Sequence, residues 1–579
     1  MLILGVHSGY HDACAALYDD YKLVAAVAQE RMTRRKIDGG RVPTESIDEC
    51  LAIAGTKRSD VGALVLGRAA FPARFYSHLP FDRALEARLR RLVGKEKHKS
   101  MERECVRYGR SDSGAMFRAG DFLGALELKP GIPVRFFNHH EAHALPTLFH
   151  TDWDKALLYT ADGGGDNVQY SHRIFADGKI ATLFGGDEEL ARPMRIDSVG
   201  LAYGYATQAL GFRINRHEGK TTGLAAWGAP KFYDAIAAHF RVDGAGAITS
   251  DFSDNPAMRQ FLFDLFKGAK REDVAASIQR FLEEFVIKAV ARLLERSGAR
   301  KLGLAGGVFA NVRLNQRLAE ELPVDEVFVY PAMSDQGLAA GGVLKFLLER
   351  DGLETWLKRR YPLETLYYGR DFGDGIDSVL GSASGITKMP GAPVEAAAEL
   401  IAKGGIVAIY TKGMEYGPRA LGARSILATP SDAVINDTLN KRLERSEFMP
   451  FAPVVAEEDA ETVFKLGRAK AYAARFMTIT AHVQPGWKER IPAVVHVDGT
   501  ARPQTIRRAW NPLYYDILKS FERRTGLPIL INTSFNVHEE PIINRPEECL
   551  RALADGRIDY VATERGVYAG PTARRPAGT

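Results

Sequence analysis

Residues 2–30 read LILGVHSGYHDACAALYDDYKLVAAVAQE. Three short apolar runs, LILGVH, CAALYD and KLVAAVAQE, are separated by the polar loop SGYHDA and the turn DY, which is the pattern of a three-stranded meander. The same order returns at residue 156: ALLYTAD, the polar loop GGGDN, VQYSHRIF, the turn ADGK and IATLFG. Two such units roughly 150 residues apart predict an internally duplicated α/β domain in which each first loop faces a shared cleft.

Working outward, the 579 residues exceed one compact module, since a domain takes roughly 100 to 200 residues. Apolar residues make up 46% and charged residues 26%, ordinary globular usage that excludes a disordered tail. Cys14, Cys50, Cys105 and Cys549 show no CxxC spacing, which argues against a disulfide framework or zinc ribbon and for a reducing cytoplasm. The N-terminal segment has no basic leader, and its apolar stretch is broken by His7, His11 and Asp12, so neither export nor a membrane span is expected. A net charge of +5 is small for this length and gives little support to nucleic-acid binding. One local exception, RALEARLRRLVGKEKHKSMER (83–103), is either a solvated helix face or an anion-contacting surface.

The segment SIQRFLEEFVIKAVARLLERSG is amphipathic and is expected to stop at Gly298, before the strand KLGLAGG. The helix GLAAGGVLKFLLER should end near Asp351 and Gly352. The first domain is therefore placed at 1–355, a linker at 356–393, a second α/β domain at 394–570 and a disordered tail at 571–579.

The strongest local signal is Asn138-His139-His140-Glu141-Ala142-His143, after the strand PVRFF. Asn138 can cap a helix, which puts His139 and His143 on one face, four apart, where two imidazoles can share a metal ion. The bland reading is a helix N-terminus with hydrogen-bonded surface histidines. A zincin is excluded, because HExxH needs Glu directly after its first His. Asp162 at the end of ALLYTAD and Asp335 in PAMSDQG are strand-end carboxylates that either complete such a site or serve as turn and cap residues. Two imidazoles with two carboxylates suit iron, manganese or zinc and leave room for a substrate oxygen.

Gly219-Lys220-Thr221 is not a P-loop, since the motif needs Gly at position 214 and Ile214 stands there. EGKTTGLAAWG remains either a phosphate-contacting helix entry or a tight packed turn. Further on, Arg419 and Arg424 flank Gly422, Arg445 lies in NKRLERSEFMPFAPV, Arg502 in DGTARPQT, and Asn532, Ser534 and Asn536 in LPILINTSFNV. One such Arg reads as surface charge; guanidinium groups in several loops of one domain, with amide and hydroxyl donors nearby, point instead to a polyphosphate site.

These strings, from YHDACAAL through HHEAHA, EGKTTGLAAWG, GGVFANVRLN and SDQG to GPRALGARSILA, EFMPFAP and INTSFN, resemble the O-carbamoyltransferase family of nodulation-factor and cephamycin carbamoylation (NodU/CmcH type). The resemblance implies an N-terminal actin-like domain, related to the tRNA threonylcarbamoylation protein, and a C-terminal YrdC-like domain. It implies that ATP (with Mg) and carbamoyl phosphate form carbamoyl-adenylate in the second domain, and that the first transfers the carbamoyl group to a hydroxyl of a small-molecule acceptor, a saccharide or other natural product. Fe(II) is the metal it implies, with His139, His143, Asp162 and Asp335 as ligands, His11 as the catalytic histidine and Lys36 as a contact to the carbamoyl intermediate.

Some positions depart from the family pattern. Cys14 stands where Ser is usual, and Leu443 and Met449 replace two basic residues in a loop that keeps Arg445. The rival readings are a tRNA-directed carbamoyl or threonylcarbamoyl transferase, using the 83–103 run on RNA, and a non-catalytic metal- or nucleotide-binding relative.

Overall fold

The computed structural model describes residues 1–79, 85, 86, 89, 96–445 and 449–573. Ten of the 21 residues of the basic run 83–103, and the tail from residue 574, lie outside the described residues. Two compact units are present: one of residues 1–310 and 317–363, the other of 311–316 and 364–579.

The first unit contains two five-stranded sheets of identical design. One orders its strands Lys22–Ala28, Cys14–Asp19, Leu2–His7, Val61–Gly67 and Val134–Phe137; the other runs Lys179–Phe184, Val168–Ala176, Ala156–Gly165, Lys301–Ala305 and Glu326–Val329. In each, the first three strands are an antiparallel meander and the last two add in parallel. The meander read at the N-terminus and its repeat at residue 156 are thus the opening of each half. One boundary differs: the strand expected to close at Asp162 runs on to Gly165, with an irregularity after Ala161.

Each half gives its last helix to the other half's sheet. The helix His139–Phe149 follows the last strand of the first sheet but packs on Ala156–Gly165 and Lys301–Ala305 of the second. The helix Leu338–Asp351 follows the second sheet and packs on Leu2–His7 and Val61–Gly67 of the first. The two helices then lie against each other. Contact is close because Gly341 faces Ala142, where any Cβ would overlap the Ala142 carbonyl oxygen. On the outer face of the first sheet the helix Thr44–Ala54 covers the meander, so both faces are buried and the strands read as apolar runs without polar alternation.

Local signals place the helix ends as expected. Asn138 Oδ1 accepts from the Glu141 backbone N–H at 2.9 Å, the N-cap bond. The helix Arg271–Ser297 stops at Gly298, which takes the left-handed conformation (φ 61°) that favours glycine.

The second unit is a mixed eight-stranded sheet, ordered Thr387–Lys388, Val567–Ala569, Tyr560–Ala562, Val407–Tyr410, Arg424–Ala428, Ile529–Ser534, Ala452–Ala456 and Gln504–Ile506. The stretch read as a linker, 356–393, is divided between the units. Its start belongs to the first, where the Trp356 indole is fully buried and donates to the Leu344 carbonyl. Its later part supplies the helix Gly375–Ser382 and the edge strand Thr387–Lys388 of the second. The Gly and Pro residues of that stretch therefore lie within the two units, Gly375 and Gly381 on a helix. Among the described residues no helix is long and apolar enough to cross a membrane.

Candidate functional site

The exchange of helices brings together residues nearly 200 positions apart. His139 and His143 occupy the first turns of their helix, Asp162 the end region of the second sheet's first strand, and Asp335 the turn before Leu338–Asp351. One ligand atom of each lies within 4.8 Å of all the others. His143 Nε2 is 3.2 Å from Asp162 Oδ2 and 3.6 Å from Asp335 Oδ1, and His139 Nε2 is 3.5 and 3.7 Å from the same oxygens. Donors each ~2.1 Å from one ion sit ~3 to 3.5 Å apart, so the spacing fits a shared cation.

The electrostatics fit it too. His143 and Asp335 are buried, His139 and Asp162 half-buried beside them, and the buried His139 Nε2 forms no hydrogen bond. Burial and the Asp335 charge push Asp162 up, yet the His139 and His143 rings outweigh them and hold it below the ordinary carboxylate range. Asp335 is likewise held low despite its burial, chiefly by His139. Burial alone would lower His139, but Asp335 and Asp162 raise it to about 9. A divalent ion supplies the positive charge that these carboxylates otherwise draw from protons. The spacing, the orphaned nitrogen and the donor set all fit such an ion.

The surroundings fix the donors. His140, fully buried, bonds Thr160 Oγ1 at 2.8 Å and the Val168 carbonyl at 3.1 Å, and burial keeps it neutral. It is a structural member of the motif. The buried Arg68 donates to Asp166 and, in a fork, to Asp187; Asp166 accepts the His139 backbone N–H at 2.7 Å, and Asp187 accepts from Asn138 Nδ2 at 2.9 Å. The start of the histidine helix is therefore tied down by the buried pair Arg68 and Asp166 and by the more exposed Asp187.

His11 sits on the first loop of the first meander, 34% exposed, with Nδ1 3.3 Å from Asp12 Oδ2 and 4.0 Å from Asp335 Oδ2. Burial opposes its proton, but Asp12 and Asp335 raise its pKa to about 10. Lys36 lies on the loop that packs over this one: the Ala13 N–H donates to the Asp38 carbonyl at 2.9 Å, and the Gly40 N–H donates to the Gly9 carbonyl. Lys36 is half-buried, and its carbonyl accepts from Arg216.

Sequence reading missed His7. It is 5% exposed, and its Nε2 lies 3.4 Å from Asp335 Oδ2. The signal was available, since a histidine ends an otherwise apolar strand at the loop expected to face the cleft.

EGKTTGLAAWG resolves as a packed helix. Glu218–Ala225 lies on Arg271–Ser297, with Thr221 fully buried and bonded to Thr207 Oγ1 at 2.9 Å.

In the second unit the expected anion-contacting residues divide. Arg445 gathers Ser534 and Asn536: its guanidinium donates to Thr533 Oγ1, the Ser534 carbonyl and Oγ, and the Asn536 carbonyl and Oδ1, at 2.6 to 3.1 Å. Arg419 and Arg502 are half-buried on two loops that Asn532 joins. The Asn532 amide donates to the Ala420 carbonyl at 3.1 Å and to Gln504 Oε1 at 2.6 Å, and is itself 1% exposed. Asn532 is a holder of those loops. Arg424 corrects the expectation outright: fully buried, it donates to the Thr411, Lys412 and Ala423 carbonyls and stacks 3.6 Å over the Tyr410 ring. With no exposed surface this guanidinium supports the fold and does not reach a phosphate, whereas Arg445 is only half-buried. Leu443 is buried in place of a basic residue. Ser446, Glu447 and Phe448 of the same loop lie outside the described residues.

Residues 2–344 match the family model described as carbamoyltransferase N-terminus, and residues 398–569 that described as carbamoyltransferase C-terminus. Nodulation protein NolNO of Sinorhizobium fredii is 32% identical over 569 residues, covering 96% of this chain and 77% of that protein. Nodulation protein NolO of Bradyrhizobium diazoefficiens is 33% identical over 456 residues, covering 76% and 79%. Among solved structures, full-length HypF in its phosphate- and nucleotide-bound form aligns at a TM-score of 0.32 and 14% identity, covering 61% of this chain and 56% of that one. Both halves of the chain and its relatives point the same way: the protein belongs to the carbamoyltransferase family and is an enzyme of that class.

Proposed function

We propose that the protein is an ATP-dependent O-carbamoyltransferase that makes carbamoyl-adenylate in its second, YrdC-like unit and passes the carbamoyl group to a hydroxyl of a small molecule in its first, actin-like unit. The observation that carries this reading is Asp335: Oδ1 faces the histidine pair of the four-donor cluster while Oδ2 faces His11, an accessible imidazole. A carbonyl-binding cluster and a proton-accepting group are the two aids an alcohol needs to attack a carbamoyl group.

In the first half-reaction water cleaves carbamoyl phosphate to phosphate and carbamate, the carbamate oxygen attacks the α-phosphorus of ATP, and pyrophosphate departs. Arg419, Arg445 and Arg502, with Ser534 and Asn536, face that negative charge. In the second, the acceptor oxygen attacks the carbamoyl carbon and AMP leaves. A divalent ion, Fe(II) in this reading, bound by His139, His143, Asp162 and Asp335, supplies Lewis-acid polarisation of the carbonyl. His11 takes the hydroxyl proton in its neutral form; despite burial, Asp12 first, then Asp335, favour the protonated ring and raise its pKa to about 10, which strengthens it as a proton acceptor. Lys36, on the loop packed over His11, orients the carbamoyl group.

The test supplies ATP, Mg and labelled carbamoyl phosphate. Pyrophosphate release that needs both substrates, followed by label on a hydroxyl of an added saccharide or natural-product acceptor, is the expected result. No pyrophosphate above the single-substrate background would contradict the adenylate.

A further inference from the structure

We infer that His7 is a positioning residue of the cluster, holding the outer oxygen of Asp335 so that the inner one faces the metal. The inference rests on the metal reading above and concerns a residue that reading does not use.

His7 ends the first strand and is 5% exposed. Neither ring nitrogen has a well-aligned hydrogen-bond partner, a cost that a buried polar side chain normally avoids. Its Nε2 points at Asp335 Oδ2, 3.4 Å away, whereas Oδ1 of the same carboxylate is the atom near His139 and His143. The ring is also hemmed in. A Cβ on Gly67 would stand 2.7 Å from His7 Nδ1, and one on Gly9 would overlap Nε2. The backbone on both sides therefore fixes where the imidazole points. With a hydrogen on Nε2, His7 donates to Oδ2 and leaves Oδ1 to the ion.

The arrangement favours this role over a fifth ligand. The His7 and His139 ring centroids are 6.4 Å apart, against 4.8 Å for His139 and His143, and the nearest cluster atom to His7 is the oxygen turned away from the histidine pair. A carboxylate anchored at its outer oxygen loses less freedom when its inner oxygen binds a cation.

Co(II) binding tests this, because its visible spectrum reports ligand geometry without any turnover. His7→Phe should weaken Co(II) binding, read by chelator competition, by about 10- to 100-fold, as loss of an outer-shell partner does, and should shift the spectrum. His7→Asn, which keeps an N–H donor, should recover part of the affinity. Wild-type affinity and spectrum in His7→Phe would overturn the inference. So would X-ray absorption showing one fewer nitrogen ligand in His7→Asn than in the wild type, which would make His7 a ligand. Should His7→Phe fail to fold, His7→Met, which also lacks an N–H donor, carries the same comparison against His7→Asn. Retention of Co(II) by the His139→Ala, His143→Ala double variant would instead fault the metal site itself, so the two failures are told apart.

Discussion

Gly341 meets Ala142 at the crossing of the two central helices so closely that a Cβ would overlap the Ala142 carbonyl oxygen. That crossing sets the separation between His143, one residue beyond Ala142, and Asp335, on the turn that leads into the other helix. The site geometry therefore depends on a hydrogen in place of a methyl group. Gly341→Ala should cost about 1–3 kcal/mol by overpacking and also reduce metal content, although no ligand is touched. Urea denaturation and metal analysis check both, and unchanged metal content would show that the crossing does not control the cluster.

The ligand assignment makes a direct prediction. His139→Ala or His143→Ala should lose most of the bound divalent ion, since each removes one of four donors. Metal analysis of the purified variants decides, and a full equivalent in either would contradict the assignment.

Two arginines of the second unit should behave differently. Arg445→Ala should abolish ATP- and carbamoyl phosphate-dependent pyrophosphate release while leaving metal content intact. Arg424→Met should act on stability, because it leaves the Thr411, Lys412 and Ala423 carbonyls without their buried donor, at about 1–3 kcal/mol each at most. Denaturation midpoints beside pyrophosphate assays separate the two roles.

Much of this was legible in the sequence. The meander LILGVH–CAALYD–KLVAAVA and its repeat show because short apolar runs broken by polar loops are a local signal, and His139 with His143 show because helical spacing is one too. What was not legible depends on which way a side chain faces across the fold. Arg424 and Arg445 are alike in composition of surroundings, yet one begins a buried strand beside Tyr410 and the other gathers the Ser534–Asn536 loop. His7 was legible as a polar strand end, but not its partner, because Asp335 comes from the other half of the duplication.

Acid stability follows from two buried histidines away from the metal cluster. Burial lowers His150 to about 4, against the partial support of the Tyr361 carbonyl, and burial together with Arg173 lowers His172 to about 4. Both titrate near 6.5 when unfolded, so below that pH the unfolded chain binds more protons than the folded one. Their contribution is fully present above pH 6.5 and is lost as pH falls toward 4, on the order of 1–3 kcal/mol for each. The urea midpoint should fall between pH 7 and pH 5, and less steeply in the His150→Gln, His172→Gln double variant. An equal slope in both proteins would contradict the assignment.

The most direct test of the central claim compares the two half-reactions in His11→Asn with a genuine hydroxyl acceptor. Pyrophosphate release and metal content should stay near wild type, while carbamoyl transfer to the acceptor falls by about 100-fold or more, the usual worth of a positioned base. Transfer at the wild-type rate in His11→Asn would contradict the account.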